Sequence, residues 1–121
     1  MFELEKTFYF SAGHQLKHNN GLCQRPHGHT YTLTVKLQAM ELKKEGPQVN
    51  MIIDFLELEN LVQPLIRDYL DHRWLNDSLQ CESTSLEFVT CWIYQRLKPI
   101  LPALKSISLS EGTTNRVTYA E

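Results

Sequence analysis

The chain has 121 residues, a formal net charge of −2 and 42% hydrophobic residues, enough for one cored domain spanning 1–121 and small enough to gain from oligomerisation. That charge does not suggest a nucleic-acid binder, which usually presents a basic face. No apolar run approaches the roughly 20 residues needed to cross a bilayer, the longest being Val89–Tyr94. The start, Met1-Phe2-Glu3-Leu4-Glu5-Lys6, lacks the basic and apolar regions of a signal peptide. Three cysteines at irregular spacing make no disulfide framework, so a reducing, cytoplasmic setting is expected.

A first strand is predicted from about Phe2 to Leu16, with Phe8, Phe10, Ala12, His14 and Leu16 on one face. Lys17 to Pro26 reads as a polar loop, with Asn19-Asn20-Gly21 as its turn signal. The second strand, about His27 to Ala39, carries His27, His29, Tyr31, Leu33, Val35 and Leu37 on one face, because side chains alternate along a strand. Two apolar faces therefore carry histidine near one end. A lone histidine on a sheet ordinarily hydrogen-bonds within the core, but His14, His27 and His29 together point to metal ligation. Three imidazoles with an open fourth position are a catalytic zinc pattern, although copper, nickel and iron also accept imidazole. His18 would share the His14 face only if the strand ran on past Leu16.

Glu45-Gly46-Pro47 breaks the chain next. Asp54 is a predicted N-cap for a helix through about Leu70, with Phe55, Leu58, Leu61, Val62, Leu65, Ile66 and Tyr69 along one stripe. Pro64 should kink or loosen that helix, since it lacks a backbone donor. The run Leu70-Asp71-His72-Arg73-Trp74-Leu75-Asn76-Asp77 closes it. Thr84-Ser85-Leu86-Glu87 fits a capping box for a second helix with Val89, Ile93 and Leu97 at helical spacing, ended by Pro99 and Pro102. Ile107, Leu109 and Glu111 share a face of a third strand, and Arg116 to Ala120 makes a fourth. The order is ββααββ, an α+β class with a four-stranded antiparallel sheet and two helices on one face.

Several polar residues have two readings. Cys23 is either a fourth ligand, closing a structural zinc site, or a thiol working beside an open metal as base or nucleophile. Cys81 and Cys91 fit ordinary loop and packing roles. Asp71 and His72 make an acid–base pair, or else His72 simply complements the dipole of a last helical turn. Glu111 is either a solvent-facing carboxylate before the turn Gly112-Thr113-Thr114-Asn115, or a buried one accepting paired N–H groups from a guanidine-like heterocycle edge.

Five motifs in order carry a resemblance that spans nearly the whole chain. They are Phe10-Ser11-Ala12-Gly13-His14-Gln15-Leu16, the Cys-x3-His-Gly-His run from Cys23 to His29, Ile53-Asp54-Phe55, Leu70-Asp71-His72-Arg73-Trp74-Leu75-Asn76, and Leu109-Ser110-Glu111 with Tyr119. The chain resembles the 6-pyruvoyltetrahydropterin synthase family, and within it the 6-carboxytetrahydropterin synthase branch that feeds queuosine and other deazapurines. The three-residue gap between Cys23 and His27 resembles that branch, whereas pyruvoyl-forming enzymes typically have a longer gap.

The resemblance implies the tunnelling fold, sheets joined into barrels as a hexamer of two trimers, and active sites at subunit interfaces. It implies Zn2+ on His14, His27 and His29, a catalytic Cys23, an acid–base pair of Asp71 and His72, and a pterin-anchoring Glu111. Lys17, His18 and Arg25 become candidates for triphosphate contact. The implied reaction converts 7,8-dihydroneopterin triphosphate to 6-carboxy-5,6,7,8-tetrahydropterin, acetaldehyde and triphosphate. Pyruvoyltetrahydropterin formation on the same site, or a non-catalytic zinc-stabilised binding domain, are the alternatives. The chain departs from the family pattern at Ser83-Thr84-Ser85-Leu86-Glu87, where relatives often carry Pro-Thr-Ser/Ala-Glu, and at Gly112, where a threonine often follows the glutamate.

Overall fold

The computed structural model describes residues 1–121. Strand β1, Phe2–His14, pairs antiparallel along its whole length with β2, His27–Ala39. Alternation does what the pattern demands: Phe8, Phe10, Ala12 and His14 are buried, and the alternate residues Thr7, Tyr9 and Ser11 are exposed. The strand stops at His14 rather than Leu16, which makes only an isolated bridge to Ser83. The loop between β1 and β2 contains one 3-10 turn, Leu22–Gln24.

Helix α1, Phe55–Leu65, starts where Asp54 accepts the Leu56 N–H at 2.7 Å. Its core stripe runs through Leu58 and Val62 and on to Ile66. Phe55, expected on that stripe, is instead 55% exposed in the helix's first turn. Pro64 falls in the last turn, and beyond it the chain widens into a single π turn, Ile66–Leu70. The helix predicted through about Leu70 therefore reaches that residue, as an α-helix continued by a π turn. A separate short helix, α2 (Leu75–Ser78), follows.

Helix α3, Leu86–Leu97, begins one residue later than the capping-box reading expects. Ser85 is the N-cap, its hydroxyl accepting the Phe88 N–H at 3.1 Å. The Thr84 hydroxyl is used elsewhere, donating to Asn76. Strands β3 (Leu104–Glu111) and β4 (Asn115–Ala120) complete an antiparallel sheet of order β1-β2-β3-β4, which leaves β1 and β4 as edges.

One cluster of 22 buried hydrophobic residues joins the inner sheet face (Tyr31, Leu33, Val35, Ile107, Leu109) to the apolar faces of α1 and α3. Each such side chain contributes about 1.5–3 kcal/mol on burial. Both long helices thus cover the same side of the sheet, and the ββααββ order stands with three short helical segments inserted. No helix is long and apolar enough to cross a membrane.

Candidate metal centre and adjoining cleft

Register builds the centre. In the β1–β2 pairing His14 lies opposite His27, and Ala12 lies opposite His29. Since His27 and His29 share a face, three imidazoles converge at one end of the buried side of the sheet. Their ring centroids are 4.5, 4.9 and 5.0 Å apart. One ligating atom from each lies within 4.8 Å of the other two. Zn–N bonds of about 2.0–2.1 Å place tetrahedral nitrogens about 3.4 Å apart, so ring movements of about an ångström complete the geometry.

Proton positions follow from the partners. The His14 Nδ1 lies 2.7 Å from the Thr84 carbonyl, and the His27 Nδ1 lies 2.7 Å from the Arg25 carbonyl. A carbonyl only accepts, so each Nδ1 donates and, in the neutral ring, each Nε2 keeps its lone pair. The His14 Nε2 is buried with no hydrogen-bond partner in the chain. Burial holds the His14 pKa below its ordinary value, favouring the neutral form that a metal requires. An orphaned lone pair on a 3%-exposed imidazole, beside two others, fits a bound cation. Below the triad lies the fully buried Tyr31, whose hydroxyl also has no partner in the chain. Its pKa is raised, first by burial and then by the charge of Glu111.

Glu111 ends β3 opposite Tyr31, with its Oε2 3.4 Å from the His29 Nε2 and its side chain 20% exposed. The simple solvent-facing reading of this carboxylate therefore does not hold. Gly112 follows at φ +65°, a left-handed turn position that favours glycine over the threonine of the family pattern. A cleft of about 400 Å³ is lined by His14, His27, Cys23 and Glu111, with Glu87, Asn115 and Arg116 on its rim. Cys23 is exposed, carried on the 3-10 turn. The turn is tied back to the metal strand: Leu16 N–H donates to the Cys23 carbonyl at 2.8 Å, and the Gln15 amide donates to the Gln24 carbonyl at 2.9 Å.

Asp71 and His72 are placed differently. The segment 71–74 lies alongside β1: His72 N–H donates to the Ser11 carbonyl at 2.6 Å, and Gly13 N–H donates to the Arg73 carbonyl at 3.1 Å. Asp71 accepts the Ser11 N–H at 3.0 Å and sits 3.0 Å from the His72 Nδ1. The Ser11 N–H, then His72, hold its carboxyl below the ordinary aspartate range. His72 has φ +57°, so it is no part of a helical turn and the dipole reading fails. Such left-handed backbone costs about 1–3 kcal/mol away from glycine and is often kept at working sites.

The His72 side chain is 82% exposed and lines a second cavity with Ser11, Gly13, Thr30, Arg73 and Trp74 on the outer face of the sheet. His29 borders this cavity; Cys23 does not. One chain thus lines one cleft with His14, His27, Cys23 and Glu111, while His29 and His72 line the other. Of the suggested triphosphate contacts, His18 is occupied by Glu82 at 3.1 Å, and Lys17 and Arg25 are exposed in the loop. Sequence patterning did not single out Arg116 and Asn115, which the β3–β4 hairpin folds over the cleft.

Comparison with known proteins gives concordant findings. The family model described as 6-pyruvoyl tetrahydropterin synthase matches residues 3–121. A 6-carboxy-5,6,7,8-tetrahydropterin synthase of Synechocystis is 38% identical over 120 residues, covering 98% of this chain and 93% of that protein. The Bacillus subtilis protein of the same name is 32% identical over 112 residues, covering 87% and 71%. Among solved structures, the 6-pyruvoyl tetrahydropterin synthase of Caenorhabditis elegans superposes with a TM-score of 0.85 at 26% identity, over 99% of this chain and 95% of that one.

Proposed function

The chain belongs to the 6-pyruvoyl tetrahydropterin synthase family and has its tunnelling fold, and on that premise we propose that it is a zinc-dependent 6-carboxy-5,6,7,8-tetrahydropterin synthase. It converts 7,8-dihydroneopterin triphosphate to 6-carboxytetrahydropterin, acetaldehyde and triphosphate, in the cytoplasm, within deazapurine (queuosine) synthesis. The observation that carries this reading is the three-histidine cluster, two of whose members, His14 and His27, share a cleft with an exposed thiol and a mostly buried carboxylate. The curated relatives bearing the carboxy name support the choice of product, as does the short Cys23–His27 gap.

His14, His27 and His29 hold the metal, which supplies Lewis acidity toward the side-chain hydroxyls of the substrate. Glu111 accepts the 2-amino and ring N–H groups of the pterin, a paired, charge-assisted contact. Cys23 removes a proton from the substrate side chain, and His72, oriented by Asp71, returns one. The carboxyl product carries one oxygen more than the carbon it derives from, so atom balance requires one water. Because His72 and Cys23 line different cavities of one chain, the complete site is built from two copies side by side. The edge strands β1 and β4 offer the means of joining sheets, in keeping with the hexamer of two trimers that the family resemblance implies.

Cys23→Ala should abolish turnover of dihydroneopterin triphosphate while stoichiometric zinc is retained. Loss of zinc from that variant would instead assign Cys23 to a closed structural site. The likeness to the C. elegans enzyme favours one second reading, formation of a pyruvoyl product on the same centre.

A further inference from the structure

Asn76 satisfies its whole side-chain amide within the chain, and all four bonds bear on the His14 end of the candidate metal centre. Its Oδ1 accepts the Gln15 N–H at 2.9 Å and the Thr84 hydroxyl at 3.2 Å. Its Nδ2 donates to the Gln15 carbonyl at 2.8 Å and the Glu82 carbonyl at 2.9 Å. An asparagine side chain has two donors and two acceptor sites, so none is left over. Asn76 is 8% exposed and Thr84 fully buried, so these bonds have little competition from solvent.

The consequence lies one residue and one bond away. Gln15 directly follows His14, and Asn76 grips its backbone on both the N–H and C=O sides, as a neighbouring strand would, just where β1 ends. Thr84, whose hydroxyl Asn76 holds, presents the carbonyl that takes the His14 Nδ1 proton at 2.7 Å. One amide thereby references both the backbone that carries His14 and the acceptor that fixes its tautomer and ring plane.

We propose that Asn76 and Thr84 are a positioning pair for the metal, locking His14 with its Nε2 lone pair toward His27 and His29. The proposal rests on the metal reading above and says which residues outside the ligand set determine affinity. Groups that orient a ligating histidine typically change metal affinity by about 10–100-fold when lost. In Asn76→Asp, a carboxylate oxygen replaces the Nδ2 and faces the Gln15 and Glu82 carbonyls, acceptor against acceptor. In Thr84→Val the backbone carbonyl stays and only the hydroxyl tie to Asn76 goes. Thr84→Ser restores that hydroxyl.

The test is a cobalt(II) titration of wild type, N76D, T84V and T84S against a competing chelator, reading affinity and the visible ligand-field spectrum. Thermal unfolding of each metal-free protein is recorded alongside. N76D should bind about 10–100-fold more weakly and T84V about 10-fold more weakly, both with a shifted spectrum. T84S should return to within about twofold of wild type with the wild-type spectrum. Should metal-free N76D fail to fold, the T84V/T84S pair decides alone. Variants that match wild type in affinity and spectrum overturn this proposal while leaving the metal centre intact. A wild type that takes up no cobalt overturns the metal reading, and this one with it.

Discussion

His27→Ala and His14→Ala separate ligation from packing. His27 is half-buried, and its one bond within the chain is to the carbonyl of exposed Arg25, so truncation should cost the metal-free protein less than about 1 kcal/mol. His14 is 3% exposed, and its loss leaves the buried Thr84 carbonyl without a donor, a penalty of about 1–3 kcal/mol before any cavity is counted. For a ligand bound only by the folded state, free zinc at about 100 times its Kd stabilises by about 2.7 kcal/mol. An unfolding entropy near 2.1 cal/mol/K per residue gives a chain of this length about 0.25 kcal/mol/K, so the gain is about 10 °C in Tm. Differential scanning calorimetry with and without zinc should show that shift in wild type and its loss in both variants. Only His14→Ala should also lower the metal-free Tm, by about 4 °C or more. A zinc shift of wild-type size in either variant refutes the ligand assignment. A metal-free His14→Ala as stable as wild type refutes the buried-bond argument.

Three further expectations follow from single contacts. Glu111→Gln places an amide N–H where a pterin N–H must donate, and should weaken pterin binding by about 3 kcal/mol, or roughly 100-fold, in fluorescence titration; unchanged affinity would remove Glu111 from the anchoring role. A Cβ on Gly13 would sit 3.1 and 3.3 Å from ring carbons of Trp74 and 3.4 Å from the His27 carbonyl, so Gly13→Val should cost about 1–3 kcal/mol in denaturant unfolding. An unchanged midpoint would mean Trp74 gives way freely.

Asp71 supplies the pH test. Its folded pKa is depressed, so its contribution is fully present above the ordinary value of 3.8 and disappears as pH falls through the folded value. The stability gap between wild type and Asp71→Asn should hold above about pH 5 and close at lower pH; a gap that widens on acidification contradicts the sign.

Much of this was legible in the chain because parity is a strong constraint. Once His27 and His29 fall on the same face as Tyr31, Leu33 and Val35, burying that face brings them beside His14. The run 70–77 was harder. Following an apolar helical stripe, His72 reads as part of a last helical turn, but tertiary bonding wins: Ser11 captures both the Asp71 carboxylate and the His72 N–H, and the backbone bends away. The same competition moved the N-cap from Thr84 to Ser85, because Asn76 claims the Thr84 hydroxyl from eight residues away. No local rule anticipates a partner at that remove. Phe55 shows the converse, an apolar residue in helical register that the first turn leaves outside.

The central claim is the reaction, and its product tests it most directly. Incubating the zinc-loaded protein with 7,8-dihydroneopterin triphosphate and identifying products by mass should yield a carboxytetrahydropterin with equimolar acetaldehyde and triphosphate. A pyruvoyl pterin, or intact substrate beside fully bound zinc, would contradict it.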